Sequence, residues 1–213
     1  MLLENGRKMV TDFITGYFTE SQRMPSRLDL LKYSVNQAVK DGLFLEFGVW
    51  RGDSLKYLST IRSDKTFYGF DTFKGLPEDW STFYPKGHMM LNKPPDIQGN
   101  VVLVEGLFQD TLEGFLDDYE DKASFLHLDA DLYSSTKFAL FMLADYDRLQ
   151  EGTIIEFDEV FYQDSPNTML DDEYRVYNEF IEKYDVNVKW LRFFQRRVTT
   201  RASLIINRFN GER

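Results

Sequence analysis

Phe44-Leu45-Glu46-Phe47-Gly48-Val49-Trp50-Arg51-Gly52-Asp53 reads as an apolar strand, a glycine turn and the start of a helix near Ser54. Two glycines let backbone approach a ligand closely, and Asp53 is placed to cap the helix by accepting from its free N–H groups. A second apolar run, Thr66-Phe67-Tyr68-Gly69-Phe70, ends in Asp71, an acid positioned to accept hydrogen bonds from a ribose. Strand, glycine turn, helix, strand and terminal acid form a nucleoside-binding βαβ unit. The turn holds GxxxG and not the GxGxxG of dinucleotide binders. A shorter turn with an acid just before it, Glu46, suits a ligand without a pyrophosphate and favours S-adenosylmethionine (SAM) over NAD.

Outward from this unit, the amino-terminal segment from about Asn5 to Asp41 carries apolar residues at spacings of three and four: Met9, Phe13 and Tyr17, then Leu28, Leu31, Val35 and Val39. That spacing predicts two helices, separated at Pro25 with Ser26 capping the second, and a helical extension or lid over residues 1–41. Residues 72–100 are rich in proline and glycine and too long for a simple connection, which predicts a substrate loop. Its Trp80, Phe83 and Tyr84 argue that it packs rather than remaining disordered. Further strands are expected at Val101–Val104, Ser124–Asp129 and Thr153–Asp158, with helices at Thr111–Tyr119, Ser134–Leu149 and Asp172–Tyr184. Two closing strands near Val186–Phe193 and Ala202–Ile206, with no helix between them, suggest an antiparallel edge hairpin. The expected fold is α/β: a Rossmann-like, mostly parallel seven-stranded sheet with that hairpin at one edge and helices on both faces.

Composition narrows the function. The 213 residues fit one domain, 1–213, with a full core. A net charge of -10 disfavours nucleic acid and anionic membrane surfaces as partners. With no cysteine there is no disulfide, thiolate chemistry or Cys-ligated zinc. No signal peptide or membrane-length apolar run is evident, so a cytoplasmic location is expected.

Ligands of open α/β sheets bind outside the carboxyl ends of the strands. Those ends carry Glu46 to Gly52, Asp71, Glu105-Gly106, Asp129 to Asp131, and Asp158-Glu159. Any single acid there could merely cap the next helix, but carboxylates converging on one rim repel unless a cation lies between them, and Mg²⁺ is the natural choice. Asp129 with Asp158-Glu159 could supply three oxygen ligands, and Asp131, just beyond, could take a proton from a metal-bound hydroxyl. Gly48, Gly52, Asp53, Asp71, Glu105, Gly106 and Phe108 complete the candidate cofactor site with Glu46, Phe108 lying nearest the adenine. His127 alternates into the core, as a packing or supporting residue. His88 lies in the long loop. Trp50 and Tyr133 could stack on adenine or sugar, or simply pack. Arg192, Arg196, Arg197 and Arg201 form a basic patch that reads either as a solvated hairpin or as a holder of a phosphate on a nucleotide- or lipid-linked sugar; Arg51 could act likewise.

Arg27-Leu28, Gly48-Val49-Trp50-Arg51-Gly52, Asp71-Thr72-Phe73-Lys74-Gly75-Leu76-Pro77, His127-Leu128-Asp129-Ala130-Asp131 and Phe157-Asp158-Glu159 occur in the order of one family. They resemble the macrocin O-methyltransferase family, which includes the mycinamicin and novobiocin sugar O-methyltransferases, over roughly Ser21 to Val160. The resemblance implies a class I, SAM- and Mg²⁺-dependent enzyme acting on a sugar hydroxyl. By motif, Asp129, Asp158 and Glu159 would be metal ligands, Asp131 the base, and Gly48, Gly52 and Asp71 the holders of SAM. Two departures stand out: that family has Asp-Asp where this chain has Asp158-Glu159, and the tail from Val160 onward, which helps select the acceptor, matches poorly. The acceptor would be a deoxysugar, glycan or glycoside. A catechol-like phenol and a catalytically inactive nucleoside-binding subunit are the alternatives, with a homodimer or a place within a larger glycan enzyme left open. An NAD-dependent dehydrogenase fits worst.

Overall fold

A computed structural model describes residues 2–162 and 173–210, with side chains from Lys8 onward. Its sheet contains β1 (Leu43–Phe47), β2 (Phe67–Asp71), β3 (Val101–Glu105), β4 (Ala123–Leu128), β5 (Ile154–Tyr162), β6 (Asn187–Arg196) and β7 (Thr199–Arg208). The order is β3-β2-β1-β4-β5-β7-β6; β1 to β5 run parallel, and β7 is antiparallel to both β5 and β6. This is the fold expected from the sequence. Sequence order reverses on either side of β1, so a crevice opens between β1 and β4 at the carboxyl ends of the strands.

The helices are α1 (Leu2–Tyr17), α2 (Arg27–Gln37), α3 (Asp53–Ile61), α4 (Phe108–Asp118), α5 (Tyr133–Asp145) and α6 (Glu173–Lys183). Strand alternation divides the core into two layers. Leu31, Val35, Leu55 and Leu58 of α2 and α3 pack on Phe44, Phe67, Phe125 and Ile154. On the other face, residues of α1, α4, α5 and α6 pack on Leu45, Phe47, Leu126, Ile155 and Phe157. Phe13 of α1 meets Phe161, Tyr174 and Trp190 edge-on, so this part of α1 belongs to the core, and among the described side chains none of α1 lines the cavity described below.

Between α1 and α2 the chain crosses the sheet edge. Gln22 Nε2 donates to the Leu191 carbonyl and Met24 N to that of Phe193, covering part of the open edge of β6. Ser26 then caps α2, accepting from Asp29 N, as its sequence position predicts.

Two boundaries differ in ways that matter. β5 continues to Tyr162 instead of ending at Asp158, because β7 pairs with it again at Phe161 and Tyr162 beyond an irregularity. Asp158 and Glu159 therefore sit within a bulged stretch of strand rather than at its tip, a setting that re-aims side chains. α3 begins at Asp53 after Gly52, which takes the cap position at φ +75°, so Asp53 is the first helical residue and its side chain caps nothing.

The 72–100 loop is held by its own backbone: Leu76 N donates to the His88 carbonyl, Gly87 N to that of Leu76, and Leu91 N to that of Phe73. A Cβ on Gly75 would collide with the carbonyls of Gly87 and His88. Trp80 lies against Tyr162 at 4.8 Å between ring centroids and pins the loop to the end of β5. Among the described residues, no helix is long and apolar enough to cross a membrane.

Candidate active site

At the crevice between β1 and β4 lies a cavity of about 280 Å³. Gly48 to Arg51, Asp71, Leu107 to Gln109, Asp129 to Asp131, Asp158, Glu159, Arg27 and Arg201 contribute to its wall. Gly48 has φ +91°, and a Cβ there would strike the Asp129 carbonyl oxygen. Only glycine lets the β1 turn pass this close to the end of β4. Asp71 Oδ2 accepts from the backbone N–H groups of Val49 (2.8 Å) and Trp50 (2.7 Å), and Oδ1 from that of Phe73 (2.7 Å). The acid expected to meet a ribose is thus also the clasp that shapes the glycine turn.

Gly48, Asp53, Asp71, Phe108, Asp129, Asp131, Asp158 and Glu159 all border the cavity. Gly52, Glu105, Gly106 and Glu46 do not. A Cβ on Gly52 would strike Ile97 of the long loop, and Glu105 is exposed on β3. Glu46 is fully buried, accepting from Ser54 Oγ (3.0 Å) and lying 2.9 Å from His127 Nδ1. It lies beneath the cavity wall and is not part of the lining.

The strand register explains this. Glu46, His127, Glu156 and Ser203 are neighbours across β1, β4, β5 and β7, so they share one face as a buried polar row. Two residues further along, that face presents Gly48, Asp129 and Asp158 at the rim. Buried charges need partners, and His127 supplies one: its Nδ1 meets Glu46, and its Nε2 lies 3.7 Å from Asp158 Oδ1, an ion-pair distance too long for a hydrogen bond. Burial alone would lower the His127 pKa, but the carboxylates around it outweigh burial and hold it well above the ordinary value. The sequence expectation of a core or supporting histidine describes it well.

Above this row, Asp129 takes part in two clusters. One contains His127, Asp129 and Asp158; the other Asp129, Asp131 and Glu159, each offering one ligand atom within 4.8 Å of the others. The expected trio of Asp129, Asp158 and Glu159 is thus divided between them. In the first cluster, arginines supply the positive charge. Arg27 Nε bonds Asp158 Oδ1 (2.6 Å) and its Nη2 bonds Asp129 Oδ2 (2.7 Å). Arg201 Nε also reaches Asp158 Oδ1, and its Nη2 reaches Oδ2, both at 2.9 Å. Burial would raise the Asp158 pKa, but Arg27, His127 and Arg201 hold it well below the ordinary carboxylate range.

The second cluster is poorer in positive charge. Arg201 Nη2, already bonded to Asp158, lies 3.7 Å from Glu159 Oε1, beyond hydrogen-bond reach. Burial, then Asp129 and Asp158, push Asp131 well above the ordinary range, and burial with Asp158 and Asp131 does the same to Glu159. Among the described residues, Glu159 Oε2 is buried without a hydrogen-bond partner. Asp131 takes φ +59°, a backbone conformation uncommon outside glycine and typical of functional positions. Glu173, at the start of α6, accepts from the Glu159 backbone N–H at 2.9 Å and so fixes this turn of chain. Such an all-oxygen, charge-deficient donor set fits a hard divalent cation.

Arg27, Arg201 and Glu173 are the site residues that sequence reading left without a catalytic role. Arg27, besides standing in the first of the family-like motifs, carried a physical signal: it follows the Ser26 cap, and a cation in the first turn opposes the helix dipole. Its placement therefore has to answer to something other than the helix.

A mostly parallel sheet with its antiparallel hairpin, a glycine turn at the switch point and an acid-lined crevice define a methyltransferase of the Rossmann-like class. The family model described as "Methyltransferase domain" matches residues 45–160, more than half of the chain, and the chain belongs to that family. Solved structures share the fold. The calicheamicin methyltransferase CalS11 aligns at 20% identity and a TM-score of 0.65, over 96% of this chain and 91% of that one. An apo structure of CalS11, described as a TDP-rhamnose 3'-O-methyltransferase, aligns at 21% and 0.57, over 96% and 92%. An O-methyltransferase from Bacillus cereus in complex with SAH gives 15% and 0.56, over 96% and 90%. A search of curated proteins returned no significant match.

Proposed function

We propose that this chain is a SAM-dependent O-methyltransferase acting on a sugar hydroxyl, with a divalent cation such as Mg²⁺ in its acid cluster. One observation carries the reading: the charge-deficient cluster of Asp129, Asp131 and Glu159 lies in the same cavity as the glycine turn clasped by Asp71. O-methylation needs that juxtaposition, because a hydroxyl must lose its proton where the methyl donor ends.

In this reading, Asp71 and the backbone of Gly48 to Trp50 hold the nucleoside, with Leu107 to Gln109 beside the adenine. Asp129 and Glu159 are the principal cation ligands, and the cation, when bound, makes an acceptor hydroxyl more acidic. Asp131, which lines the cavity beside Asp129 and Glu159, receives the proton. The oxygen bonds to the sulfonium methyl carbon as the carbon–sulfur bond breaks, leaving the thioether. Arg27 and Arg201 keep Asp158 and Asp129 fixed, so the remaining task is positioning. The sugar acceptor draws support from the macrocin-type motifs and from the likeness to CalS11.

Calorimetric titration with S-adenosylhomocysteine (SAH), in Mg²⁺ and then in EDTA, tests the reading. Micromolar binding is expected, followed by methyl transfer to sugar acceptors that EDTA abolishes. No binding in either buffer would refute it.

A further inference from the structure

The β6–β7 hairpin, Asn187 to Arg208, contains Lys189, Arg192, Arg196, Arg197, Arg201 and Arg208 and no acid, although the chain has 35 Asp and Glu against 25 Lys and Arg. Acids are plentiful, yet among the described residues Arg192, Arg196 and Arg197 have no carboxylate partner. Register places them. Arg192 pairs across with Ser203, Phe194 with Arg201, and Arg196 with Thr199. Arg192 and Arg196 therefore share the sheet face of Arg201, which reaches Asp158. Arg192 stays on that face, its guanidinium 4.7 Å over the Tyr33 ring of α2.

The hairpin turn also lies at the end of β5 against which the 72–100 loop packs, beyond Asp158 and Glu159. Thr199 pairs with Tyr162 at the end of β5, and Tyr162 carries Trp80 of the long loop. Arg196 and Arg197 are exposed there. Arg197 has φ +55° in the two-residue turn, a position normally taken by glycine, asparagine or aspartate. An arginine held in a strained backbone conformation, next to another, without an acid to pair with, is arranged for an anion that comes from outside.

We propose that the sugar acceptor carries phosphate, and that Arg196 and Arg197, with Arg192 behind them, bind that phosphate while the sugar hydroxyl faces Asp131. The inference rests on the sugar-acceptor reading above and names its substrate class: a sugar linked through phosphate or diphosphate. Planar guanidinium groups suit phosphate oxygens in paired hydrogen bonds.

The test is calorimetry on the full chain loaded with SAH, in EDTA, with inorganic pyrophosphate and with UDP as probes. Both are expected to bind, with affinity falling as salt rises. Arg196→Gln with Arg197→Gln should weaken both by about tenfold or more, since one charge-assisted hydrogen bond is worth about that factor. SAH affinity should not change. Arg208→Gln, at the far end of β7, should leave probe binding intact. UDP binding more tightly than pyrophosphate identifies a nucleotide-linked sugar. Equal binding identifies a site that reads phosphate alone. Absent binding of both probes to protein that still binds SAH overturns this inference and leaves the methyltransferase reading standing, as does equal binding by the double variant. Failure to bind SAH strikes the methyltransferase reading itself.

Discussion

Arg27→Met removes a guanidinium from between two carboxylates while keeping most of its aliphatic stem. Arg27 bonds Asp158 at 2.6 Å and Asp129 at 2.7 Å, with side-chain exposures of 32%, 3% and 22% respectively. Breaking a buried ion pair by removing one partner costs about 3–5 kcal/mol. Arg201 still holds Asp158, and solvent reaches Arg27, so the expected loss is nearer about 2–3 kcal/mol. For a chain of this size that corresponds to a fall in melting temperature of about 4–12 °C. The loss should depend on pH. Burial and then Asp158 push the Asp129 pKa up to about 6, with Arg27 and His127 pulling it down. A carboxyl whose folded pKa lies above its unfolded value of about 3.9 gives stability that is complete below that value and lost as pH rises through the folded pKa. Without Arg27 the folded pKa climbs further and the ionised form is penalised more. The deficit of the variant should therefore be larger at pH 8 than at pH 5. Calorimetric melts of both proteins at both pH values measure this. A variant that melts within about 2 °C of the parent at pH 8, below the smallest expected shift, refutes the ion-cluster reasoning. So does a deficit that is the same at both pH values.

Asp71→Asn leaves one carbonyl oxygen where a carboxylate accepts three backbone N–H groups; SAH affinity should fall about tenfold or more while the circular dichroism spectrum is retained. Gly48→Ala drives a Cβ into the Asp129 carbonyl at φ +91°. It should destabilise the fold by about 2 kcal/mol or more, read as a lowered denaturant midpoint, and an unshifted midpoint would contradict the turn geometry. Asp131→Asn should reduce turnover by about 10²-fold or more with SAH affinity unchanged, in line with loss of a general base. A wild-type rate in that variant would remove Asp131 from its role.

What was legible in the sequence is what strand periodicity encodes. The apolar runs gave the parallel strands, and the residue where each run stops gave Gly48, Asp71 and Asp129. Counting two residues back from three rim positions, Gly48, Asp129 and Asp158, leads to Glu46, His127 and Glu156. The same parity that puts Gly48 at the rim therefore puts Glu46 beneath it, buried and outside the cavity wall. Glu159 was harder, because the irregularity that lets it face the same cavity as its neighbour Asp158 depends on pairing with β7, some forty residues later in the chain. Arg27 and Arg201 were hidden for a related reason: their partners Asp129 and Asp158 lie far away in sequence, and local patterns are silent about such pairs.

Those long-range arginines decide how the charges at the rim divide. Taken as a sequence, the strand-end acids ask for one cation shared among them all. In the fold, Arg27, Arg201 and His127 already answer Glu46, Asp129 and Asp158. Among the described residues, what remains unanswered at the rim is Asp131 with Glu159, whose Oε2 is buried without a donor and whose Oε1 stands 3.7 Å from an arginine committed to Asp158, while Glu156 beneath them is likewise buried with neither oxygen bonded. A buried Glu159 beside a half-buried Asp131, with no cation within hydrogen-bond reach among the described residues, favours uptake of protons or of a metal ion. The proposed metal-assisted methyl transfer to a hydroxyl would use both, a proton acceptor and a site for a charge that acidifies the acceptor, and in that reading the residue of the charge balance falls where the chemistry needs it.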